Sequence, residues 1–397
     1  MNNENFNNET SQSNFEEHSS STEIPGKKKW LLPTVFAVLG ICSTILFFKA
    51  GELKKLWSNS SADSLKCGMT QTAIYEKYKN SVVLVANSYV YEVKVKGSAP
   101  VQFTVTESGE LTPYDEHQNN PITITGTGFF VSKDGKLITN RHVASPWTVN
   151  SADDITSIKE VVSYKIPDDI EASQIADYIK QHWSEEIKEI DEEWAEVKLH
   201  TDTAVAAVDS AAGDISINMP EQKSKNPVDI AEIEVTGKIV RLGIALHNNK
   251  VKQIEDFIPC EFISQSDDPN VDVAVIQTIS HNLPSKVKNV VDLSLAANDD
   301  SAIKPGTKAI MIGYPMGMQL AGTQKGIKVQ VYEGEVNKES DGFAVQYNIT
   351  STHGASGSPV FNDCGRLIAV NFAGYDQTQG FNFGVVAKYA LSLYENE

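Results

Sequence analysis

GTGFFVSKDGKLITNRHVA, residues 126–144, is the stretch on which the fold turns. A strand, a Lys-Asp-Gly-Lys turn and a second strand follow one another, with Asp134-Gly135 supplying the reversal of a hairpin. His142 comes just past the second strand. Alone, a histidine there is more often structural than chemical, so its meaning depends on what surrounds it. Working outward, short strands rich in β-branched residues recur on both sides. They read as 81–88, 90–96, 101–107, 122–125, 127–132, 136–139, 238–246, 258–264, 271–277, 307–312, 327–337, 342–348, 358–361, 366–372 and 380–386. Residues 69–79 read as a short helix, and 108–121, with Pro113, Asn119, Asn120 and Pro121, as a surface loop. Many short strands without alternating helices indicate an all-β, antiparallel barrel or sandwich rather than a βαβ fold.

Two more segments carry chemistry. In NVDVAVIQT (270–278), Asp272 opens a strand among apolar neighbours, where a carboxylate needs a donor. In STHGASGSPVFND (351–363), Ser356 lies between Gly354 and Gly357 in a tight loop. Serine is a weak nucleophile until a base takes its proton, and histidine held in one tautomer by an aspartate does this near neutrality. Backbone amides of Gly354 and Ser356 would then hold the developing oxyanion. No histidine follows His353, so a Ser-Asp-His order around Ser356 is excluded, and subtilisin-like enzymes run Asp, His, Ser. The order His142, Asp272, Ser356 in an all-β chain is the chymotrypsin one.

With these residues in hand, the chain resembles the trypsin-like serine peptidases, and most closely their bacterial high-temperature-requirement branch. Over about 70–150 and 236–390, GTGFFVSKDGKLITNRHV is similar to the segment around that family's catalytic histidine, DVAVI to the one opening with its aspartate, and GASGSPVFN to its nucleophile loop. IGYPMG (312–317) resembles a glycine-proline turn between barrel strands, and GRLIAVNFAG the strand lining the substrate cleft. The resemblance implies a chymotrypsin-like double β-barrel with the triad between the barrels, polypeptide substrates, no cofactor and no metal. It implies a serine endopeptidase, with a catalytically inactive trypsin-like module that binds polypeptides as the alternative. It also implies Thr350, Asn371 and Ala373 as substrate-pocket residues, while His353 reads either as lining the pocket mouth or as an exposed loop residue. None of the three implied residues is charged, so a small or medium apolar residue is expected at the cleaved position. The chain departs from the family in the 130-residue gap from His142 to Asp272, in Ser358 where many members have glycine, and in ending at Glu397 without PDZ domains.

The long gap has its own composition. Residues 151–200 hold 14 acidic and 5 basic side chains, half of the chain's net charge of -18. Ile170, Ile175, Ile179, Trp183, Ile187, Ile190, Trp194 and Val197 recur at helical spacing. Residues 151–235 therefore read as an acidic, mostly helical insertion, expected to lie outside the barrels and to be dispensable for their folding. Net charge of this sign disfavours nucleic acid. A homo-oligomer and a basic protein partner at the insertion both stay compatible with the sequence.

The N-terminal part reads as a disordered polar tail (1–29), a transmembrane helix (30–48) and a spacer (49–67), ahead of a peptidase domain over 68–397. WLLPTVFAVLGICSTILFF is 19 uncharged residues, which as a helix spans about 28 Å, close to bilayer thickness. The expectation is a single-pass cell-membrane protein with its catalytic domain extracytoplasmic. Lysines flank the run on both sides and do not decide orientation. Cys42 falls inside the run. Cys67, Cys260 and Cys364 allow at most one intrachain bridge, and none is expected.

Overall fold

The computed structural model describes residues 67–149, 152–167, 170–184, 228–297, 303–374 and 381–397, all within one compact unit, Leu65–Glu397. The tail, the apolar run 30–48, most of the spacer and the second half of the acidic insertion lie outside the described residues. Among the described residues no helix is long and apolar enough to cross a membrane.

The first eight strands are β1 (Val82–Val95), β2 (Val101–Val105), β3 (Leu111–Pro113), β4 (Ile122–Phe130), β5 (Lys136–Thr139), β6 (Ile233–Leu246), β7 (Ile258–Gln265) and β8 (Ala274–Thr278). They form one antiparallel sheet in the order β3-β2-β1-β4-β5-β8-β7-β6. Pairing of β1 with β6, from Val83 opposite Leu246 to Val95 opposite Ile233, closes six of these strands into a ring. The other six, β9 (Lys308–Gly313), β10 (Gln330–Lys338), β11 (Ala344–Tyr347), β12 (Pro359–Phe361), β13 (Leu367–Gly374) and β14 (Asn382–Val386), close a second barrel. Two barrels are what the family resemblance implied.

The period-2 alternation of a strand explains how the cores separate. Along β1, Val83 and Val85 join Phe130, Leu137, Ile244 and Ile276 in one cluster. Val82 and Leu84 face the other way, onto Phe129, Val275, Ile310 and Ile312, in a cluster shared by both barrels. In β9, Ala309 and Met311 belong to the cluster of the second barrel, while Ile310 and Ile312 look toward the first. Strands buried on both faces read as continuous apolar runs, as SVVLVA does.

Three features differ from the sequence reading. The strands read at 81–88 and 90–96 are one strand, β1, bent by a register shift at Ser88/Tyr89. The loop at 108–121 contains β3, paired on β2. Cys67 and Cys364 form a disulfide, contrary to the expectation of none, leaving Cys260 free and buried. Gly68 and Met69 both donate backbone N–H bonds to Asp363 O, so the chain start is already seated beside Cys364. Helix α1 (Gln71–Tyr78), capped by Thr70, then stacks Tyr78 on Phe361 at 4.6 Å between ring centroids.

The described helices of the insertion, Ala152–Lys165 and Ala172–His182, do not stand apart from the sheet. Ile158, Val162, Ile175, Ile179 and Trp183 bury themselves against Tyr91, Phe103 and Ile233, where β1, β2 and β6 run beyond the barrel. The Trp183 indole donates to Leu111 O at 2.8 Å. An extended ribbon with one uncovered apolar face needs such a cover, so this part of the insertion completes a core. The insertion boundary at 235 also falls inside β6.

Candidate active site

Three loops meet between the barrels. The first follows β5. Its short helix α2 (Arg141–Ala144) is held from behind by Asn87, whose Nδ2 donates to Val143 O and Ala144 O, both at 2.9 Å. This fixes the backbone of His142, which is 6% exposed. The second loop joins β7 to β8 and carries Asp272. Asp272 Oδ1 accepts from His142 N at 3.0 Å, and Oδ2 lies 2.5 Å from His142 Nδ1. Two bonds from one residue fix the carboxylate plane against the ring and leave Nε2 as the outward nitrogen. Asn140 Nδ2 donates to Asp272 O at 2.6 Å, closing the loop onto the histidine segment. Burial pushes the Asp272 carboxyl up, but the charge and hydrogen bonds of His142, with Arg141 beside them, outweigh it and hold the group below the usual carboxylate range.

The third loop, between β11 and β12, carries Ser356. Thr127 on β4 pins it across the barrel interface. Its N–H donates to Ser356 O at 2.7 Å, and its hydroxyl donates to Gly354 O at 2.8 Å. Thr139 in turn donates to Thr127 O at 2.8 Å. A Cβ on Gly126 would meet both Val143 and Ser356 O, so the histidine helix and the serine loop flank one glycine. The Ser356 hydroxyl makes no hydrogen bond to His142 in this structure, a contact that often tightens only with substrate.

The glycines around Ser356 are required by space as well as by conformation. Gly357 has φ +86, and a Cβ there would lie 2.0 Å from Thr127 O. Gly354 has φ +84 and packs directly on the backbone of Tyr314 and Gly317, the turn read as IGYPMG. Met316 N donates to His353 O at 2.5 Å, locking that turn to the loop. The N–H groups of Ala355, Gly357 and Ser358 are occupied by Thr352 O, Asn371 O and Ala355 O. Those of Gly354 and Ser356 have no hydrogen-bond acceptor among the described residues, as donors reserved for an incoming oxyanion would.

The pocket candidates are less uniform. Thr350 is exposed and His353 partly so. Ala373 sits on β13 opposite Phe383. Asn371 is buried, and its amide is spent on the loop: Oδ1 accepts from Tyr347 Oη at 2.7 Å, and Nδ2 donates to Ser351 Oγ and Ala355 O, both at 3.1 Å. Its side chain therefore supports the nucleophile loop and offers no free polar atom for selecting substrate. Sequence reasoning missed Thr127, Asn87 and Asn140. Thr127 and Asn140 lie inside the very motif quoted first, but a threonine or asparagine acting through backbone carbonyls leaves no spacing to read. Among the described residues there is no cluster of three metal-ligating side chains.

The comparisons with known proteins bear on part of this arrangement. Residues 256–370, which include Asp272 and Ser356 but not His142, match the family described as "Trypsin-like peptidase domain". A glutamyl endopeptidase of Staphylococcus epidermidis is 26% identical over 159 residues, 39% of this chain and 49% of that protein. The chain thus spans about half the length of the curated relatives it matches. Among solved structures, a serine endoprotease from Yersinia pestis aligns with TM-score 0.40 at 13% identity, covering 83% of this chain and 66% of that one. The HtrA-type protease AlgW with tripeptide aligns with TM-score 0.38 at 12% identity, covering 82% and 62%.

Proposed function

We propose that this chain is a serine endopeptidase, anchored in the cell membrane by residues 30–48, with its catalytic domain outside the cytoplasm. Ser356 Oγ attacks the scissile carbonyl while His142 Nε2 takes its proton. The tetrahedral oxyanion is held by the N–H groups of Gly354 and Ser356, each such donor worth roughly 2.7–4 kcal/mol in the transition state. His142 returns the proton to the departing amine, leaving an acyl-enzyme, and water attacks this ester by the reverse proton route. Asp272 keeps His142 in the needed tautomer and stabilises its cation. The observation that carries the reading is the doubly bonded Asp272–His142 pair on the first barrel, beside a serine loop of the second barrel that Thr127 of β4 pins in place.

The Cys67–Cys364 disulfide supports an oxidising compartment, hence an extracytoplasmic domain. The uncharged pocket candidates favour a small or medium apolar residue before the cleaved bond. Cleavage-site profiling of the fragment from about residue 60 onward, beside its Ser356→Ala form, tests activity and preference together. His142→Ala and Ser356→Ala should remove nearly all turnover, and Asp272→Asn should cost on the order of 10⁴ in kcat, the magnitude known for the trypsin counterpart. Cleavage mainly after glutamate would refute the apolar preference, and turnover that survives Ser356→Ala would refute the mechanism.

A further inference from the structure

The residue before His142 does something neither the triad nor the fold requires. Arg141 is only 8% exposed, though a guanidinium is costly to bury. Its Nη1 donates to Ser266 O at 3.3 Å and Asp268 O at 3.2 Å, and its Nη2 donates to Pro269 O at 2.9 Å. All three carbonyls belong to the turn that delivers Asp272. That turn is wrapped around the guanidinium: Ser266 N donates to Val273 O and Val271 N to Asp268 O, both at 3.0 Å. The Asp268 carboxylate is occupied within the turn, accepting from Asn270 N and Nδ2. Asp267 is exposed. The charged side chains acting on Asp272 are His142 and Arg141.

We infer that Arg141 is a positioning residue for the triad. Carried on the same four-residue helix as His142, it grips the Asp272 turn by three carbonyls and keeps base and carboxylate in one rigid unit, while its charge stabilises the ionised carboxylate. The inference rests on the hydrolase reading above. A fork of five donors can span three separate carbonyls, which a lysine ammonium on its flexible stem cannot do as rigidly.

The test is steady-state kinetics of the full chain and its Arg141→Lys and Arg141→Gln forms on one peptide substrate. Rates are normalised to folded enzyme by circular dichroism. Arg141→Lys should lose about tenfold in kcat, with KM within about twofold. Arg141→Gln should lose more in kcat, again with KM within about twofold. If Arg141→Gln does not fold, the kcat-against-KM split of Arg141→Lys decides. An active wild type whose variants keep kcat per folded molecule overturns this inference alone. A wild type without turnover overturns the hydrolase reading and this inference with it.

Discussion

Replacing Cys364 with serine cuts a cross-link between residues 297 positions apart in sequence. In the chain-entropy picture, closing a loop that long removes roughly 5–6 kcal/mol of unfolded-state freedom at 25 °C, an upper bound because measured values cluster at 2–4 kcal/mol. The native state should tolerate the cut. Gly68 and Met69 still bond Asp363 O, and Ile74 and Tyr78 remain in the shared core. At about 2.1 cal/mol/K per residue, a domain of about 330 residues has an unfolding entropy near 0.7 kcal/mol/K. The loss then lowers the melting temperature by about 3–8 °C. The assay is thermal unfolding of wild type, Cys364→Ser and Cys67→Ser, each with and without reductant. Wild type should lose stability on reduction, while both serine variants should melt at the reduced temperature and ignore reductant. A wild type indifferent to reductant, or variants still sensitive to it, would refute the reasoning.

Two further outcomes follow from other parts of the fold. His247 is buried and accepts a bond from Val329 N at 3.2 Å; burial first, then Lys328, Lys79 and Lys286, push its pKa down to about 4. With the folded value below the unfolded 6.5, its contribution is complete above pH 6.5 and fades as pH falls toward 4, by at most about 3 kcal/mol; His247→Asn, compared with wild type by urea unfolding at pH 7.5 and 4.5, should flatten that slope. Trp183→Ala should cost about 3–5 kcal/mol by denaturant melting, since its ring packs at 4.7 Å on Phe103 and fills the core under the insertion helices. A value under about 1 kcal/mol would return those helices to the status of a dispensable excursion.

The strands were legible because each carries its own period and its own turn residues. KLIT and AVIQT stand almost where the sequence puts them, and His142, Asp272 and Ser356 announce themselves through the glycines and apolar runs around them. What stayed hidden depends on partners far away in sequence. Cys67 and Cys364 are 297 positions apart and meet where α1 packs Tyr78 on Phe361. Thr127 matters through carbonyls of a loop more than 200 residues later. The three residues of β3 have no pattern long enough to read, and the insertion helices show an apolar stripe but not what it covers. Nothing in the sequence around Arg141 marks it as a buried cation. Only the turn folded around it shows this.

Covalent labelling tests whether Ser356 is an activated nucleophile without knowledge of the substrate. The folded chain is incubated with a fluorophosphonate and digested, and the adduct is mapped by mass spectrometry. A single adduct on Ser356 is predicted, absent in Ser356→Ala and strongly slowed in His142→Ala. A folded wild type that stays unlabelled, or labels elsewhere, would contradict the account and leave a polypeptide-binding module in its place.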